Sequence, residues 1–375
     1  MNRRVLAIAL GITAAMGGVA GGVLAVHGSG STGVSLSANS RHEHMGHMSR
    51  LGAGWTFNTL NNSNDVTFNQ LLGINNRGQV AGYFGSGAKG HPNKGYVLNL
   101  APQGSTFQNE NFPAGQQTQV IGINDTGVTV GFWSTQNKAS MSDNNFGFYD
   151  MNGQFRNVVY PTRNISKPPV TQLLGVNDRD IAVGFFNGAK GNSHAFEYSI
   201  RGGWFRRLHI PGAMSSTASG INNRGDIVGF LTNQRGKTEG FLRTPRGTVI
   251  EFRIPRASST MAFGINDFGE VAGTFMKGSG SNAKSFGFTW RPGRGFTVVN
   301  DPLGSGATTL NGINDAGDLV GFYTDAKGNT DGLLVARGRF SAATAPPVGA
   351  GLAPVTGTPT TARTTAPAGV GPTHF

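Results

Sequence analysis

The 375-residue chain contains no cysteine. That excludes disulfide scaffolds, zinc fingers, iron–sulfur clusters and thiol nucleophiles. Charge is also scarce. Asp, Glu, Lys and Arg together make up 13% of the residues, half the usual quarter. Stretches rich in Ala, Glu, Lys and Leu are few, which argues against a helical bundle or coiled coil. Acids are the rarer sign, 19 against 31 Lys plus Arg, for a formal charge of +12. What is abundant is glycine, 59 residues. It follows no strict Gly-X-Y period, so the chain is not collagen.

Both ends differ from the middle. Residues 1–26 begin with Arg3 and Arg4 and continue from Val5 to Val26 without a charge. They read as an export signal, or as an N-terminal anchor if uncleaved. Residues 27–51 are rich in His, Gly and Ser and read as a flexible linker. Residues 345–375, rich in Pro, Thr and Ala, cannot bury a core and read as a disordered tail. The expected location is therefore secreted or at a bacterial cell surface, with membrane contact only through residues 1–26.

The middle repeats one motif six times. Its first copy is Gly73-Ile74-Asn75-Asn76-Arg77-Gly78-Gln79-Val80-Ala81-Gly82. The others begin at Gly122, Gly175, Gly220, Gly264 and Gly312, 44 to 53 residues apart. A period in this range signals a solenoid, propeller or array. Each copy reads as a β-hairpin. A strand ends at Gly-(Ile/Val)-Asn, carrying Asn75, Asn124, Asn177, Asn222, Asn266 or Asn314. The turn closes on a glycine (Gly78, Gly127, Gly225, Gly269 and Gly317) that supplies the left-handed residue. In the third copy Asp180 stands there, and Asp is one of the few other types tolerating that conformation. Two further short strands follow in each period. One is usually aromatic after a small residue, as in Gly95-Tyr96 and Gly147-Phe148. The other usually runs into proline, as in Phe205 to Pro211.

Four strands per period is the propeller-blade pattern. The expected fold is all-β: a β-propeller of six four-stranded blades over residues 52–344, with an open β-solenoid as the alternative. Trp55 to Leu60 resembles a fourth strand lying before the first motif and is expected to complete the sixth blade. Arg339 to Ala342 forms a possible further strand after the last.

The six segments resemble those of the HAF-repeat extracellular proteins of bacteria. The His-Ala-Phe of that name occurs once, as His194-Ala195-Phe196. The resemblance spans roughly three-quarters of the chain. It implies an exported protein of propeller-like repeats and carries no catalytic residues.

Candidate sites are few. Residues 201–256 hold ten Lys/Arg and three acids. Arg201, Arg206, Arg207, Arg235, Lys237, Arg243, Arg246, Arg253 and Arg256 form a candidate basic face for anionic polymers. His42, His44 and His47, beside two methionines, are a candidate metal-binding stretch in the linker. The Asn/Asp turns, strongest at Asn314, Asp315 and Asp318, offer too few carboxylates for calcium and read as structural. The acids outside the motifs, among them Asp150, Glu197, Asp301 and Asp331, share no spacing that marks a paired-carboxylate site. No Walker loop, Gly-X-Ser-X-Gly elbow or His-Glu-X-X-His occurs, and no cofactor is expected. The leading expectation is a monomeric, non-catalytic protein. It binds an anionic or neutral cell-surface polysaccharide, or a protein, and not nucleic acid. Its rim is formed by the loops Gly85–Lys94, Ser134–Asn145 and Met276–Lys284. A glycan hydrolase or lyase and a passive repeat protein are the alternatives.

Overall fold

The computed structural model describes residues 55–101, 104–136 and 144–336. The segment expected to be an export signal, the His-rich stretch with His42, His44 and His47, the expected tail and the strand expected near Arg339 lie outside them.

Each repeat folds into four antiparallel strands in sequence order. The first sheet is β2 (Asn69–Ile74), β3 (Gln79–Phe84), β4 (Lys94–Asn99) and β5 (Thr106–Asn109). The second is β6 (Gln117–Ile123), β7 (Thr129–Ser134), β8 (Phe146–Met151) and β9 (Gln154–Val158). The third is β10 (Thr171–Val176), β11 (Ile181–Asn187), β12 (Ser193–Ser199) and β13 (Phe205–Arg207). Next come β14 (Ala213–Ile221), β15 (Ile227–Asn233), β16 (Thr238–Arg243) and β17 (Val249–Phe252). They are followed by β18 (Ser259–Ile265), β19 (Val271–Lys277), β20 (Lys284–Arg291) and β21 (Gly295–Val298). The last repeat supplies β22 (Thr308–Ile313), β23 (Leu319–Thr324) and β24 (Thr330–Ala336), and β1 (Thr56–Thr59) pairs antiparallel with β24 to make its fourth strand.

Six separate sheets were expected, and the pairing differs. Four sheets of four strands are distinct, while β14–β17 and β18–β21 form one eight-stranded sheet. The cause is local: the starts of β16 and β18 approach closely enough for one parallel pair, Thr238 with Ser259. The architecture is a propeller-like arrangement of small antiparallel sheets.

The six motif turns meet in a ring, which excludes the open solenoid. The motif's first glycines pack back to back. A Cβ on Gly73 would lie 2.7 Å from the Ile121 carbonyl oxygen, and one on Gly312 would lie 2.9 Å from that of Leu72. The motif asparagines explain why no other residue serves in six copies. Oδ1 of Asn75 accepts the N–H groups of Arg77 and Gln79, and its Nδ2 donates to the Asn124 carbonyl at 2.9 Å. Asn124, Asn177, Asn222 and Asn266 each repeat the donation to the next copy's asparagine carbonyl. Aspartate lacks the donor and alanine lacks both functions. Asp180 adopts φ 57°, the left-handed value its glycine counterparts take.

The space around the axis is filled. Leu72, Ile121, Leu174 and Phe263, each just before or close to a motif's first glycine, pack with Tyr83, Phe132, Phe185, Phe230 and Phe322 into one buried cluster. Separate clusters lie between successive sheets. Aromatic pairs such as Phe252 on Trp290 (centroids 3.9 Å apart) and Tyr160 on Phe186 (3.9 Å) fill them.

Candidate functional site

The strand directions define two ends. The six motif turns form the turn end. The opposite end carries the connections from second to third strands and from fourth strands to the next repeat. This loop end includes Gly85–Lys94, Met276–Lys284 and the described residues of Ser134–Asn145, the three loops expected to form a rim.

At the turn end, the residues after the motif asparagines form a closed circle. The N–H of Asn76 donates to Oδ1 of Asp125 (2.7 Å), Asp125 to Asp178 (2.8 Å), and Asp178 to Asn223 (2.8 Å). Asn223 donates to Asp267 (2.7 Å), Asp267 to Asp315 (2.8 Å), and Asp315 back to Asn76 (2.8 Å). The order Asn, Asp, Asp, Asn, Asp, Asp is what four carboxylates in one ring require. Asn76 Nδ2 bridges Oδ2 of Asp125 and Asp315, and Asn223 Nδ2 bridges Oδ2 of Asp178 and Asp267. Every carboxylate oxygen of the circle therefore accepts a hydrogen bond. The cavity inside is about 60 Å³, far below the roughly 300 Å³ at which small-ligand pockets begin. This circle joins residues from Asn76 to Asp315, which the sequence marks only as separate turns.

Two polar clusters sit between sheets. In the first, the Thr129 hydroxyl donates to Glu110. Burial pushes the Glu110 carboxyl up to about 7; the Thr129 hydrogen bond opposes this and the nearby Asp150 adds to it. In the second, Asn61 Nδ2 donates to Asp331 Oδ1 at 2.7 Å, and the Asp301 carboxylate accepts from the Leu303 N–H at 2.7 Å. Burial raises both carboxyls above the usual range. The Leu303 N–H opposes the rise at Asp301 and the Asp331 charge adds to it, while the Asn61 amide opposes the rise at Asp331. Asp301 and Asp331 are only 5% and 7% exposed, which closes them to a polymer substrate.

The nine candidate basic residues do not share a face. Arg201, Arg243 and Arg246 follow or end third strands at the turn end. Arg206 and Arg207 lie on the outer strand β13, where Arg206 pairs with Glu197 and Arg207 donates to His194 Nδ1 at 2.9 Å. Arg201 pairs with Asp180 at 2.5 Å. Only Arg235, Lys237, Arg253 and Arg256 reach the loop end. The reason is the alternation of strand direction: neighbours in a basic stretch of sequence are sent to opposite ends.

The loop end nevertheless holds most of the uncompensated charge. Its second-to-third-strand connections carry Lys89, Lys94, Lys190, Arg235, Lys237, Lys277, Lys284 and Lys327. Its inter-repeat connections add Arg163, Lys167, Arg253 and Arg256. In the same connections Asp65, Glu110, Asp301 and Asp325 oppose them; Asp301 is buried, and Asp65 is engaged by His91 at 2.8 Å. At the turn end, eight arginines face the eight acids of the six motifs. Strand alternation thus sorts the formal charge toward one end. The sequence window that looked most basic had no means of showing this.

No family model matches the chain, and no curated protein matches it. Solved structures do. One is a catalytically inactive virginiamycin B lyase from Staphylococcus aureus crystallised with quinupristin, at 14% identity and TM-score 0.42, covering 75% of this chain and 99% of that one. Another is a putative gluconolactonase, at 10% identity and TM-score 0.44, covering 76% of this chain and 93% of that one. A third is an Aleuria aurantia lectin variant with α-methyl-L-fucoside, at 9% identity and TM-score 0.44, covering 71% and 90%.

Proposed function

We propose that this is an exported, non-catalytic repeat protein of the bacterial surface, related to the HAF-repeat proteins, whose loop end binds an anionic polysaccharide. In this reading the eight-stranded sheet works as two blades sharing the single Thr238–Ser259 pair, so six repeats make six blades. The observation that carries the binding role is the sorting of twelve Lys/Arg to the loop end against four acids in the same connections, one of them buried. A field of one sign over one end draws polyanions by long-range, salt-sensitive attraction. Binding is favoured over glycan hydrolysis because the paired acids are spent or closed off. The axial carboxylates accept hydrogen bonds around a cavity of about 60 Å³, and Asp301 and Asp331 are buried between sheets.

The test is retention of the purified chain on immobilised anionic and neutral polysaccharides over a salt series. The reading expects retention on the anionic polymer, falling steeply between about 0.1 and 0.5 M salt as screening shortens. Absence of retention at low salt, or equal retention on the neutral polymer at all salts, overturns it.

A further inference from the structure

Resting on that reading, we propose that the loop end contains one defined site for sulfate or phosphate groups on a polysaccharide, built where β16 meets β18. The Thr238–Ser259 pair brings three charged segments together. Arg235 and Lys237 immediately precede Thr238. Arg256 precedes Ser259 by three residues, and Ser259 pairs with Met276, next to Lys277. Lys277 in turn faces Lys284 directly across β19 and β20.

Three features separate this cluster from a diffuse basic surface. The first is that its backbone is fixed. Asn233 Oδ1 accepts the N–H groups of Arg235 and Lys237 at 3.0 and 3.1 Å, holding their turn. The N–H and hydroxyl of Ser258 both donate to the Met276 carbonyl, at 2.8 and 3.1 Å, fastening the Arg256 segment to the end of β19. The second is that it breaks local rules. Like charges directly opposite in a sheet repel, yet Lys277 and Lys284 occupy such a pair. Arg256 adopts φ 61°, a left-handed conformation that is costly for arginine. The equivalent residue one repeat earlier is Gly212, at φ 72°. Departures of this kind concentrate at functional sites. The third is that the charges have no acidic partner: among the described residues, none of the five cations makes an ion pair. The nearest acid along the chain, Glu239, shares a strand face with Lys237 but forms no ion pair with it. Lys277 is held over the Phe275 and Phe286 rings at 5.7 and 5.9 Å.

A tetrahedral oxyanion suits this arrangement, because cationic donors from neighbouring segments can be shared among its oxygens. A carboxylate offers only two oxygens. The site therefore takes sulfated or phosphorylated glycans in preference to uronic-acid polymers.

The experiment compares two triple variants of the full chain by titration at about 0.15 M salt. Arg235→Gln/Lys237→Gln/Lys277→Gln removes three cluster charges. Lys89→Gln/Lys190→Gln/Lys327→Gln removes three from elsewhere on the same end. All six side chains are exposed, so both variants are expected to fold, and their melting curves are recorded. The probes are dextran sulfate fragments, a polyphosphate of similar charge and polygalacturonate. The site predicts at least tenfold weaker dextran sulfate and polyphosphate binding for the first variant and less than threefold for the second. It also predicts that the parent prefers both to polygalacturonate. Equal losses in the two variants overturn the local site while leaving a charged end. Equal affinity for polygalacturonate overturns the oxyanion class. No binding of any probe by the parent overturns the broader reading as well.

Discussion

The main-chain N–H of Asp315 donates to Oδ1 of Asn76 at 2.8 Å, joining residues 239 positions apart. This bond closes the circle of six at the turn end. The pairing of β1 with β24 closes the same boundary at the periphery. Together they make the first and last repeats neighbours, so no sheet is left with an open face.

The asparagine of each motif is expected to be intolerant of aspartate. Asn177→Asp keeps the acceptor for the Arg179 and Ile181 N–H groups but loses the donor to the Asn222 carbonyl. The carbonyl keeps the Gly225 N–H at 3.0 Å, so the loss is that of one hydrogen bond, about 1 kcal/mol. Asn177→Ala also strips the turn of its acceptor and is expected to cost more. Urea denaturation ranks the three proteins, and an aspartate variant as stable as the parent would refute the donor role.

The Glu110–Thr129 contact predicts an unusual pH dependence. The equivalent positions in the other repeats are apolar pairs sharing a cluster: Val158 with Ala182, Leu208 with Ile227, Phe252 with Val271, Val299 with Leu319, and Leu60 with Val80. Burial raises the Glu110 carboxyl from 4.5 to about 7. The folded state therefore holds a proton that the unfolded chain has released, and stability falls as pH rises between those values. Glu110→Leu/Thr129→Val restores the apolar pair found elsewhere. It should raise the melting temperature at pH 8 and flatten the slope between pH 5 and 7. An unchanged slope would show that Glu110 does not titrate in that range.

The last glycine of the motif predicts a steric effect. A Cβ on Gly229 would lie 2.0 Å from the Thr217 carbonyl oxygen and 2.8 Å from the Phe241 ring. The backbone carbonyl has little room to withdraw, so Gly229→Ala is expected to destabilise by at least about 2 kcal/mol. Gly153→Ala in an exposed turn meets no atom within 4 Å, but its φ of 77° strains alanine and costs about 1 kcal/mol. Thermal melts that reverse this order would count against the close packing of the first two strands.

Removing β1 tests ring closure. A double substitution, Phe57→Asp/Asn61→Ala, unseats β1 from β24 and removes the amide bound to Asp331. The last repeat is then left with an exposed strand edge. The expected outcome is a lower melting temperature together with self-association in size-exclusion chromatography. A stable monomer would show that the axial circle alone holds the ring shut.

The sequence by itself determined the repeat. Six Gly-(Ile/Val)-Asn segments are legible because they obey local rules: strand alternation, turn residues and a left-handed glycine, or Asp180 in its place. The strand order, the role of Trp55 to Leu60 and the aromatic filling between sheets follow from the same pattern. Tertiary structure alone decided which residues meet. Asn76 and Asp315 touch only because the ring closes, and the alternation of two asparagines with four aspartates has meaning only around an axis. Arg201 and Arg256 lie in one basic stretch of sequence, yet antiparallel strands carry them to opposite ends. Arg235 and Lys284, distant in sequence, are brought to one end by the same geometry. Local turn chemistry is written in consecutive residues; the direction of a charge and the company of a carboxylate are set by distances that only the folded chain contains.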